Sequence, residues 1–297
     1  MRKIIVIGAT GMIGKPVTRE LIKVGFDVTL AVRNIKKARQ VFPLANLVRA
    51  DVFDKESLQK AFKGQDIVYI SLNNPRKAKP SDPLPEKEGI SNIIEVAKEA
   101  GLQRIAYLSS MIMQYNGMNG YRWWLFSIKH SAVEQVKKSG LPYSIFYPSS
   151  FMETLDHQML RGNNILLAGK SKAPMWFISG EDYGRQVAWS FRKLTIENRE
   201  YPVQGLEAFT FDQAAAIFKS SYLKANLRIL KAPLPFLELF GNFNRNAQYG
   251  YKIMQALNNF PEKFESQQTW EELGKPTITL EDYARQAGKL ALKGTGT

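Results

Sequence analysis

The chain has 297 residues, of which 44% are hydrophobic and none is cysteine. It is long enough to bury a large core, and it has no disulfide, no cysteine nucleophile and no cysteine-ligated metal. The formal net charge is +14, which nucleic acid or an anionic membrane surface would explain. However, the basic residues are scattered and form no recognisable nucleic-acid module, so we favour a basic protein that binds a phosphate-rich small molecule.

Three further exclusions follow from the sequence. The two histidines, His130 and His157, do not have metal-ligand spacing, and no metal site is expected. No apolar run reaches the roughly 20 residues of a membrane span. The chain begins directly with a strand rather than a signal peptide, so we expect a cytoplasmic protein.

Strands and helices alternate from residue 1 to about residue 148, which predicts an α/β fold with a doubly wound parallel sheet. The predicted strands are Lys3–Ile7, Asp27–Val32, Ala45–Arg49, Ile67–Ser71, Arg104–Leu108 and Tyr143–Tyr147. The predicted helices between them are Lys15–Val24, Lys36–Phe42, Lys55–Phe62, Glu86–Ala100 and Trp124–Ser139. The alternation stops after residue 148, so residues 149–297 are expected to form a smaller lobe that faces the substrate and packs with residues 1–148 as one body.

A glycine-rich turn connects the first strand to the first helix. Gly8 permits a sharp exit from the strand, Gly11 lets the backbone approach a pyrophosphate, and Gly14 lets the helix pack closely on the sheet. The helix N-terminus then offers free N–H groups to phosphates. We therefore predict a dinucleotide site, at which three other loop residues also contact the cofactor: Thr10, Met12 and Ile13.

The second strand ends in basic residues. An NAD site usually has an acidic residue at this place, about 20 residues past the glycines. Here Arg33 occupies it, and Lys36 and Lys37 follow. Because a guanidinium suits a 2′-phosphate, we expect Arg33 and Lys37 to select NADP over NAD; a solvated helix start is the alternative.

The next three strands end in further candidate cofactor contacts. Asp51 and Val52 follow the third strand, where a carboxylate can accept a hydrogen bond from adenine. The alternative role for Asp51 is a helix-capping turn that leads to Asp54. The candidates at the ends of the fourth and fifth strands are Ser71, Leu72, Asn73 and Ser109.

The sequence allows two interpretations for each of two loops and for each of two apolar segments. The loops Asn73–Pro85 and Ser110–Arg122 could each cover a substrate or be plain surface loops. Trp123 and Trp124 line a substrate pocket or hold the helix start against the core. The apolar segment at residues 236–240 is expected to pack in the core rather than to line a pocket.

In several of these motifs, the chain resembles the NmrA-like, atypical branch of the short-chain dehydrogenase/reductase superfamily. The resemblance rests on the run Gly8–Gly14, on Ala50-Asp51-Val52, on Tyr107–Ser110, on Lys129 to Glu134, and on Tyr147–Glu153. It implies that the glycine loop, Arg33, Asp51 and Lys129 bind NAD(P). It also implies that the backbone after the sixth strand approaches the nicotinamide, through Tyr147, Pro148, Ser149 and Phe151.

The chain departs from the catalytic pattern of the wider superfamily. The tyrosine expected four residues before the lysine is Leu125, and the expected serine falls on Met111 or Ile112. Reduction of a carbonyl needs an acid for the developing alkoxide. Lys129 is our candidate for that catalytic acid; Tyr115 and Tyr121 are possible substitutes, for which packing is the preferred interpretation.

The sequence therefore predicts an NADP(H)-dependent oxidoreductase that transfers a hydride to a small carbonyl or quinone-like substrate, as a monomer or homodimer. The alternative is a non-catalytic NADP(H)-binding redox sensor, which the absent tyrosine favours. An epimerase acting on nucleotide sugars is a third and weaker alternative for the same reason.

Overall fold

A computed structural model describes residues 2–193, 196–223 and 226–293. The strands in the described residues are β1 (Lys3–Ile7), β2 (Asp27–Val32), β3 (Asn46–Arg49), β4 (Ile67–Ile70), β5 (Arg104–Leu108), β6 (Tyr143–Pro148), β7 (Leu160–Arg161), β8 (Asn164–Ala168), β9 (Met175–Trp176), β10 (Arg199–Val203), β11 (Ala208–Phe209) and β12 (Arg228–Ala232).

The α-helices in the same residues are α1 (Gly14–Lys23), α2 (Ile35–Val41), α3 (Lys55–Phe62), α4 (Ile90–Glu99), α5 (Trp124–Lys137), α6 (Gly180–Arg192), α7 (Phe211–Ser221), α8 (Leu234–Gly241), α9 (Arg245–Asn259), α10 (Gln267–Leu273) and α11 (Leu280–Lys293). Pro85–Gly89 and Thr154–Met159 form π-helical turns, and Met111–Tyr115 and Met118–Gly120 form 3₁₀ turns.

Seven parallel strands form the central sheet, in the order β3-β2-β1-β4-β5-β6-β10. From β1, the next two strands are added toward one edge of the sheet, and from β4 onward the strands are added toward the other edge. The strand order therefore reverses between β1 and β4. Such a reversal opens a crevice at the carboxyl ends of the strands. The predicted doubly wound α/β fold is confirmed.

The central strands are buried on both faces, which explains their nearly continuous apolar sequences. Every residue of β4 and β5 is buried. Helices α3, α4 and α5 pack on one face of the sheet through one cluster of buried apolar residues. Helices α1 and α6 pack on the other face through a second cluster. The covered sheet thus provides a rigid edge on which loops can form a site.

The seventh strand comes from beyond the boundary predicted at residue 148. β10 pairs in parallel with β6, with Tyr201 opposite Phe146. α6 packs along α1, where Gly184 lies close to the helix backbone at Pro16 and Val17. The proposed division into residues 1–148 and 149–297 remains a prediction, but the second part contributes a strand to the sheet.

The remaining strands form two small sheets in the C-terminal part. β8 pairs with β7 and with β12, and β9 pairs with β11. No helix in the described part of the chain is both long and apolar enough to cross a membrane.

Two segments differ from plain sequence expectation. The segment Ser110–Arg122 is not a free surface loop, because Met111, Met113 and Tyr115 are buried in its 3₁₀ turn. Conversely, α8 is mostly exposed: Phe236 and Leu239 keep 55% and 61% of their surface. The expected packing of this segment was wrong because α8 contacts the core only through partly buried residues such as Leu234 and Leu237.

Candidate cofactor and substrate site

A cavity of about 750 Å³ lies at the carboxyl ends of the central strands and extends to α9. It brings together residues from β1, β2, β5 and β6 and from the loop after β4, which are far apart in sequence. Most of the predicted site residues line it: Gly8, Thr10, Gly11, Met12, Ile13, Arg33, Lys37, Asp51, Val52, Ser71, Leu72, Asn73, Ser109, Lys129, Pro148, Ser149 and Phe151.

Two predicted residues, Gly14 and Tyr147, are not among the residues that line the cavity. A Cβ on Gly14 would lie 2.0 Å from the carbonyl oxygen of Gly8, so Gly14 permits the close contact between helix and turn. The hydroxyl of Tyr147 donates a hydrogen bond to Glu200 Oε2 at 2.7 Å, on the neighbouring strand β10. Side chains alternate along a strand, so the structure places Pro148, rather than Tyr147, at the cavity.

The glycine turn has the geometry of a phosphate-binding loop. Gly8 has φ +82°, and a Cβ there would lie 1.9 Å from the carbonyl oxygen of Ser71. The N–H of Gly11 donates to the carbonyl of Gly8 at 2.9 Å, which closes the turn. The N-cap residue Ile13 provides no side-chain cap, and the first turn of α1 contains no acidic residue. The N–H of Lys15 donates to the carbonyl of Gly11 at 3.1 Å, and the uncapped start of α1, with the positive end of the helix dipole, lies at the cavity, which suits a diphosphate.

Basic side chains lie at the edge of the cavity beside β2. Arg33 and Lys37 are exposed, and neither forms an ion pair with any of the described residues. Lys15, which the sequence did not single out, also lines the cavity, whereas Lys36 does not. The side chain of Asn34 caps α2 by accepting from the N–H of Lys37 at 2.9 Å. This edge thus presents unpaired positive charge to an anionic group.

Asp51 and Asp54 have different roles in the turn after β3. Asp54 caps α3 by accepting from the N–H of Ser57 at 3.1 Å. Asp51 lines the cavity, and its Oδ1 accepts from the N–H of Phe53 at 3.0 Å. The helix-capping role therefore belongs to Asp54, and Asp51 keeps a second carboxylate oxygen that can accept from a ligand.

A buried acidic residue, Glu86, holds Lys129 at the cavity. Lys129 Nζ forms an ion pair with Glu86 Oε1, and the hydroxyl of Tyr107 donates to the same oxygen at 2.9 Å. Asn74 Nδ2 donates to Glu86 Oε2 at 3.1 Å, and Asn74 Oδ1 accepts from the N–H of Glu86 at 3.1 Å. Burial and the charge of Glu86 together hold the pKa of Tyr107 well above its usual value. Glu86 is only 2% exposed, so its carboxylate depends on these three side chains for its hydrogen bonds.

Sequence reasoning missed Glu86. It lies directly after Pro85 at the start of a helical segment, where an acidic residue is usually solvated and interacts with the helix dipole. Its partner Lys129 is 43 positions further along the chain. Only the tertiary structure brings the two together, although a carboxylate beside the proline-rich loop was a usable signal.

The far side of the cavity is apolar. Leu125 and Ile112 line it, at the positions where the superfamily pattern places a tyrosine and a serine. Tyr115 and Tyr121 are buried and absent from the lining, and the hydroxyl of Tyr121 donates to the carbonyl of Lys252 at 2.9 Å. Both tyrosines therefore pack in the core. Other apolar and aromatic lining residues are Trp123, Phe126, Met175, Phe211, Tyr249, Ile253 and Leu257.

A second buried carboxylate supports the cavity wall after β6. Ser149 Oγ donates to Glu262 Oε2 at 2.7 Å, and Gln204 Nε2 donates to Glu262 Oε1 at 2.6 Å. Burial raises the pKa of Glu262 to about 7, although these hydrogen bonds oppose the rise. Glu262 lies more than a hundred residues after Ser149, and no local pattern marked it.

The chain is similar in sequence to known proteins over most of its length. Residues 8–173, more than half of the chain, match the family model described as NAD(P)H-binding. Photosystem II assembly factor Ycf39 of Cyanophora paradoxa is 26% identical over 264 residues, which cover 86% of this chain and 79% of that protein.

Solved structures of two reductases share the fold. Triphenylmethane reductase of Citrobacter sp., solved in complex with NADP(H), superposes with a TM-score of 0.76 at 19% identity, over 96% of this chain and 99% of that one. NADPH-dependent quinone oxidoreductase of Escherichia coli superposes with a TM-score of 0.69 at 20% identity, with the same coverage. The predicted resemblance is thus confirmed at the level of family and fold: the fold is shared with these structures, and this chain belongs to the NAD(P)H-binding family.

Proposed function

We propose that this chain is an NADPH-dependent reductase of a flat, largely apolar electrophile, such as a quinone or an aromatic carbonyl compound. The observation that carries the proposal is one continuous cavity, lined by a glycine turn and basic residues at one end and by aliphatic and aromatic side chains at the other. Lys129, held by a buried carboxylate, lies in the same lining.

The nucleotide end of the cavity suits NADPH. The glycine turn and the uncapped start of α1 would hold the diphosphate, and Arg33 and Lys37 would hold the 2′-phosphate. Asp51 would accept from the adenine amino group. When bound, NADPH supplies a hydride for reduction. The unpaired charge of Arg33 and Lys37 supports NADPH over NADH, since the ribose of NADH carries no phosphate for them to bind.

The apolar end of the cavity supports an aromatic acceptor. Leu125 and Ile112 offer no hydrogen bond where the wider superfamily has a tyrosine and a serine. A small polar carbonyl would gain few partners there in return for its lost hydration, whereas an aromatic ring would also gain contacts with Trp123 and Phe126.

Lys129 is the residue that we assign to proton supply. Its side chain is 14% exposed, so it lies mostly buried but is not sealed from water. Glu86 orients the ammonium and balances its charge. Lys129 would donate a proton to the oxygen of the acceptor as the hydride arrives, and it would regain a proton from solvent.

Oxidation of NADPH in the presence of different acceptors tests the proposal. The purified protein is mixed with NADPH or NADH and with menadione, an aromatic aldehyde or a small aliphatic ketone, and cofactor absorbance is followed. We expect turnover with NADPH and menadione, slower turnover with the aldehyde, and little with the ketone or with NADH. Tight NADPH binding without turnover of any acceptor would contradict the proposal.

A second candidate is a non-catalytic NADPH-binding regulator. The observation that favours it is Leu125 in the place of the expected proton-donating tyrosine. The assembly-factor name of the Cyanophora relative also fits a role of this kind. NADPH binding without turnover in the assay above is the result that would support this candidate.

A further inference from the structure

The helix α8 and the turn after it present an apolar face that nothing in the described structure covers. Phe236, Leu239 and Phe240 are 55%, 61% and 48% exposed, and Phe243 is 88% exposed. Their spacing of three and four residues places Phe236, Leu239 and Phe240 on one side of the helix, and Phe243 follows in the turn after it. The opposite side packs Leu234 and Leu237 against the core. The outward face is therefore a separate surface and not a frayed part of the core.

Exposed basic residues lie beside this apolar face. Arg245 begins α9, two residues after Phe243, and its Nη1 donates to the carbonyl of Ala78 at 3.4 Å. That contact joins the α8–α9 turn to the exposed loop segment Arg76, Lys77 and Lys79. In the part of the chain that the structure describes, none of these four basic residues forms an ion pair.

Few acidic residues offset this charge. Glu238 on α8 accepts from the hydroxyl of Tyr251 at 2.8 Å, and Asp82 accepts from the N–H of Lys79 at 2.8 Å. The whole chain carries a net charge of +14. A basic rim around an apolar face on a strongly basic protein complements an anionic surface.

We infer that α8 and Phe243 form a peripheral docking site for an anionic lipid bilayer, in which the four apolar side chains enter the interface and the basic residues contact lipid phosphates. Helices that bind at a membrane interface typically have phenylalanine and leucine on one face and lysine and arginine beside that face. A symmetric contact with a second copy would bring two basic rims together. A protein partner would be expected to meet more tryptophan, tyrosine and arginine, because these dominate protein interfaces.

The docking site lies beside the cavity. Pro75 and Tyr249 line the cavity, and the Arg76 guanidinium lies over the Tyr249 ring at 5.4 Å. Docking through α8 would therefore hold this side of the cavity close to the lipid. The inference does not depend on the proposed reductase activity, because vesicle binding is measured without cofactor or acceptor.

Vesicle sedimentation tests the docking site. The full chain is mixed with vesicles of phosphatidylcholine alone and with vesicles that contain about one-third phosphatidylglycerol. We expect binding to the anionic vesicles that weakens with added salt, and little binding to the neutral ones. The triple variant Phe236→Ser, Phe240→Ser and Phe243→Ser should lower the vesicle partition coefficient by at least about tenfold.

Two further variants keep the test decisive. Leu44→Ser is the matched control, because Leu44 is 99% exposed in the turn between α2 and β3, outside the patch, and should leave binding unchanged. Lys77→Glu with Lys79→Glu changes only exposed charge and should lower binding to anionic vesicles by about tenfold. Failure of the wild type to bind, or equal binding by the triple variant, would overturn the inference. A concentration-dependent dimer that the triple variant abolishes, without vesicle binding, would assign the face to a second copy and would also overturn it.

Discussion

The carboxylate of Glu86 receives three side-chain contacts, from Lys129, Tyr107 and Asn74. These partners come from α5, from β5 and from the loop after β4, so one buried residue fixes three elements around the cavity. Such a network stabilises only while every member is present, because the loss of one leaves a buried charge without its partner.

Replacing Glu86 with glutamine should therefore be costly. Glu86→Gln leaves the Lys129 ammonium without a counter-ion, and we expect the free energy of unfolding to fall by about 2–4 kcal/mol. The measurement is urea unfolding followed by circular dichroism. Glu95→Gln is the control, because the side chain of Glu95 pairs with Lys55 and is 50% exposed. This change should lower the free energy of unfolding by less than about 0.5 kcal/mol. Equal effects of the two changes would show that the Glu86 network contributes little.

We propose that two exposed basic residues, Arg33 and Lys37, select the cofactor. The double change Arg33→Ala and Lys37→Ala should weaken NADPH binding by about tenfold or more and NADH binding by less than about twofold, since only NADPH carries the 2′-phosphate. Isothermal titration with both cofactors measures this. Lys36→Ala serves as the control, because Lys36 does not line the cavity. Equal losses for NADPH and NADH would exclude these residues as the 2′-phosphate site.

At the scale of elements, the first strand, turn and helix were predictable because their signal is local. Gly11 and Gly14 both lie against Gly8 within the turn, although Gly8 also lies against Ser71 of the chain after β4. The predicted strand Lys3–Ile7 has the same bounds in the structure. The predicted helix Glu86–Ala100 instead begins with a π-helical turn at Pro85–Gly89. At this irregular start, Glu86 points inward and pairs with Lys129. No local sequence pattern indicates such a tertiary contact.

Gly14 and Gly250 should respond oppositely to the same substitution. Gly14→Ala would place a Cβ 2.0 Å from the backbone oxygen of Gly8, and we expect a loss of about 3 kcal/mol or more of stability, or failure to fold. Gly250 lies inside α9 with no atom within 4 Å of the added Cβ. Gly250→Ala should therefore stabilise the protein by about 0.5–1 kcal/mol. Thermal unfolding compares the two, and a harmless Gly14→Ala would refute the close packing of the turn.

At the scale of the whole molecule, the site is built between parts of the chain that are remote in sequence. Leu257 of α9 and Met175 of β9 line the same cavity as the glycine turn after β1. The irregular order of short strands and helices after residue 148 did not indicate which side chains meet there. Most residues that the sequence assigns to the cofactor do line the cavity, whereas most of the apolar lining residues could not be named from the sequence.

Buried carboxylates should make the stability of the molecule depend on pH. Burial raises the pKa of Glu153 to about 8, and its Oε2 has no hydrogen-bond partner among the described residues. The folded protein therefore binds more protons than the unfolded chain between about pH 4.5 and pH 8, and stability falls as the pH rises through this range. Glu262, with its pKa raised to about 7, acts in the same direction.

Glu153→Gln should reduce this dependence. The variant cannot ionise at residue 153, so the difference in unfolding free energy between about pH 5 and pH 8.5 should shrink by an amount on the order of a few kcal/mol. Urea unfolding of wild type and variant at both pH values measures the change. An unaltered pH dependence would mean that Glu153 ionises normally in the folded protein.

The most direct test of the proposed reductase is a single-turnover experiment in which the NADPH complex of wild type or of Lys129→Met is mixed with menadione and the loss of NADPH fluorescence is timed. We predict that, with NADPH saturating both proteins and with folding of the variant checked by circular dichroism, the variant oxidises NADPH about a hundredfold more slowly, because the proton supply is lost. Equal rates for the two proteins would remove Lys129 from the chemistry. No oxidation by wild type would contradict the proposed reductase and favour a regulator that binds NADPH as a ligand.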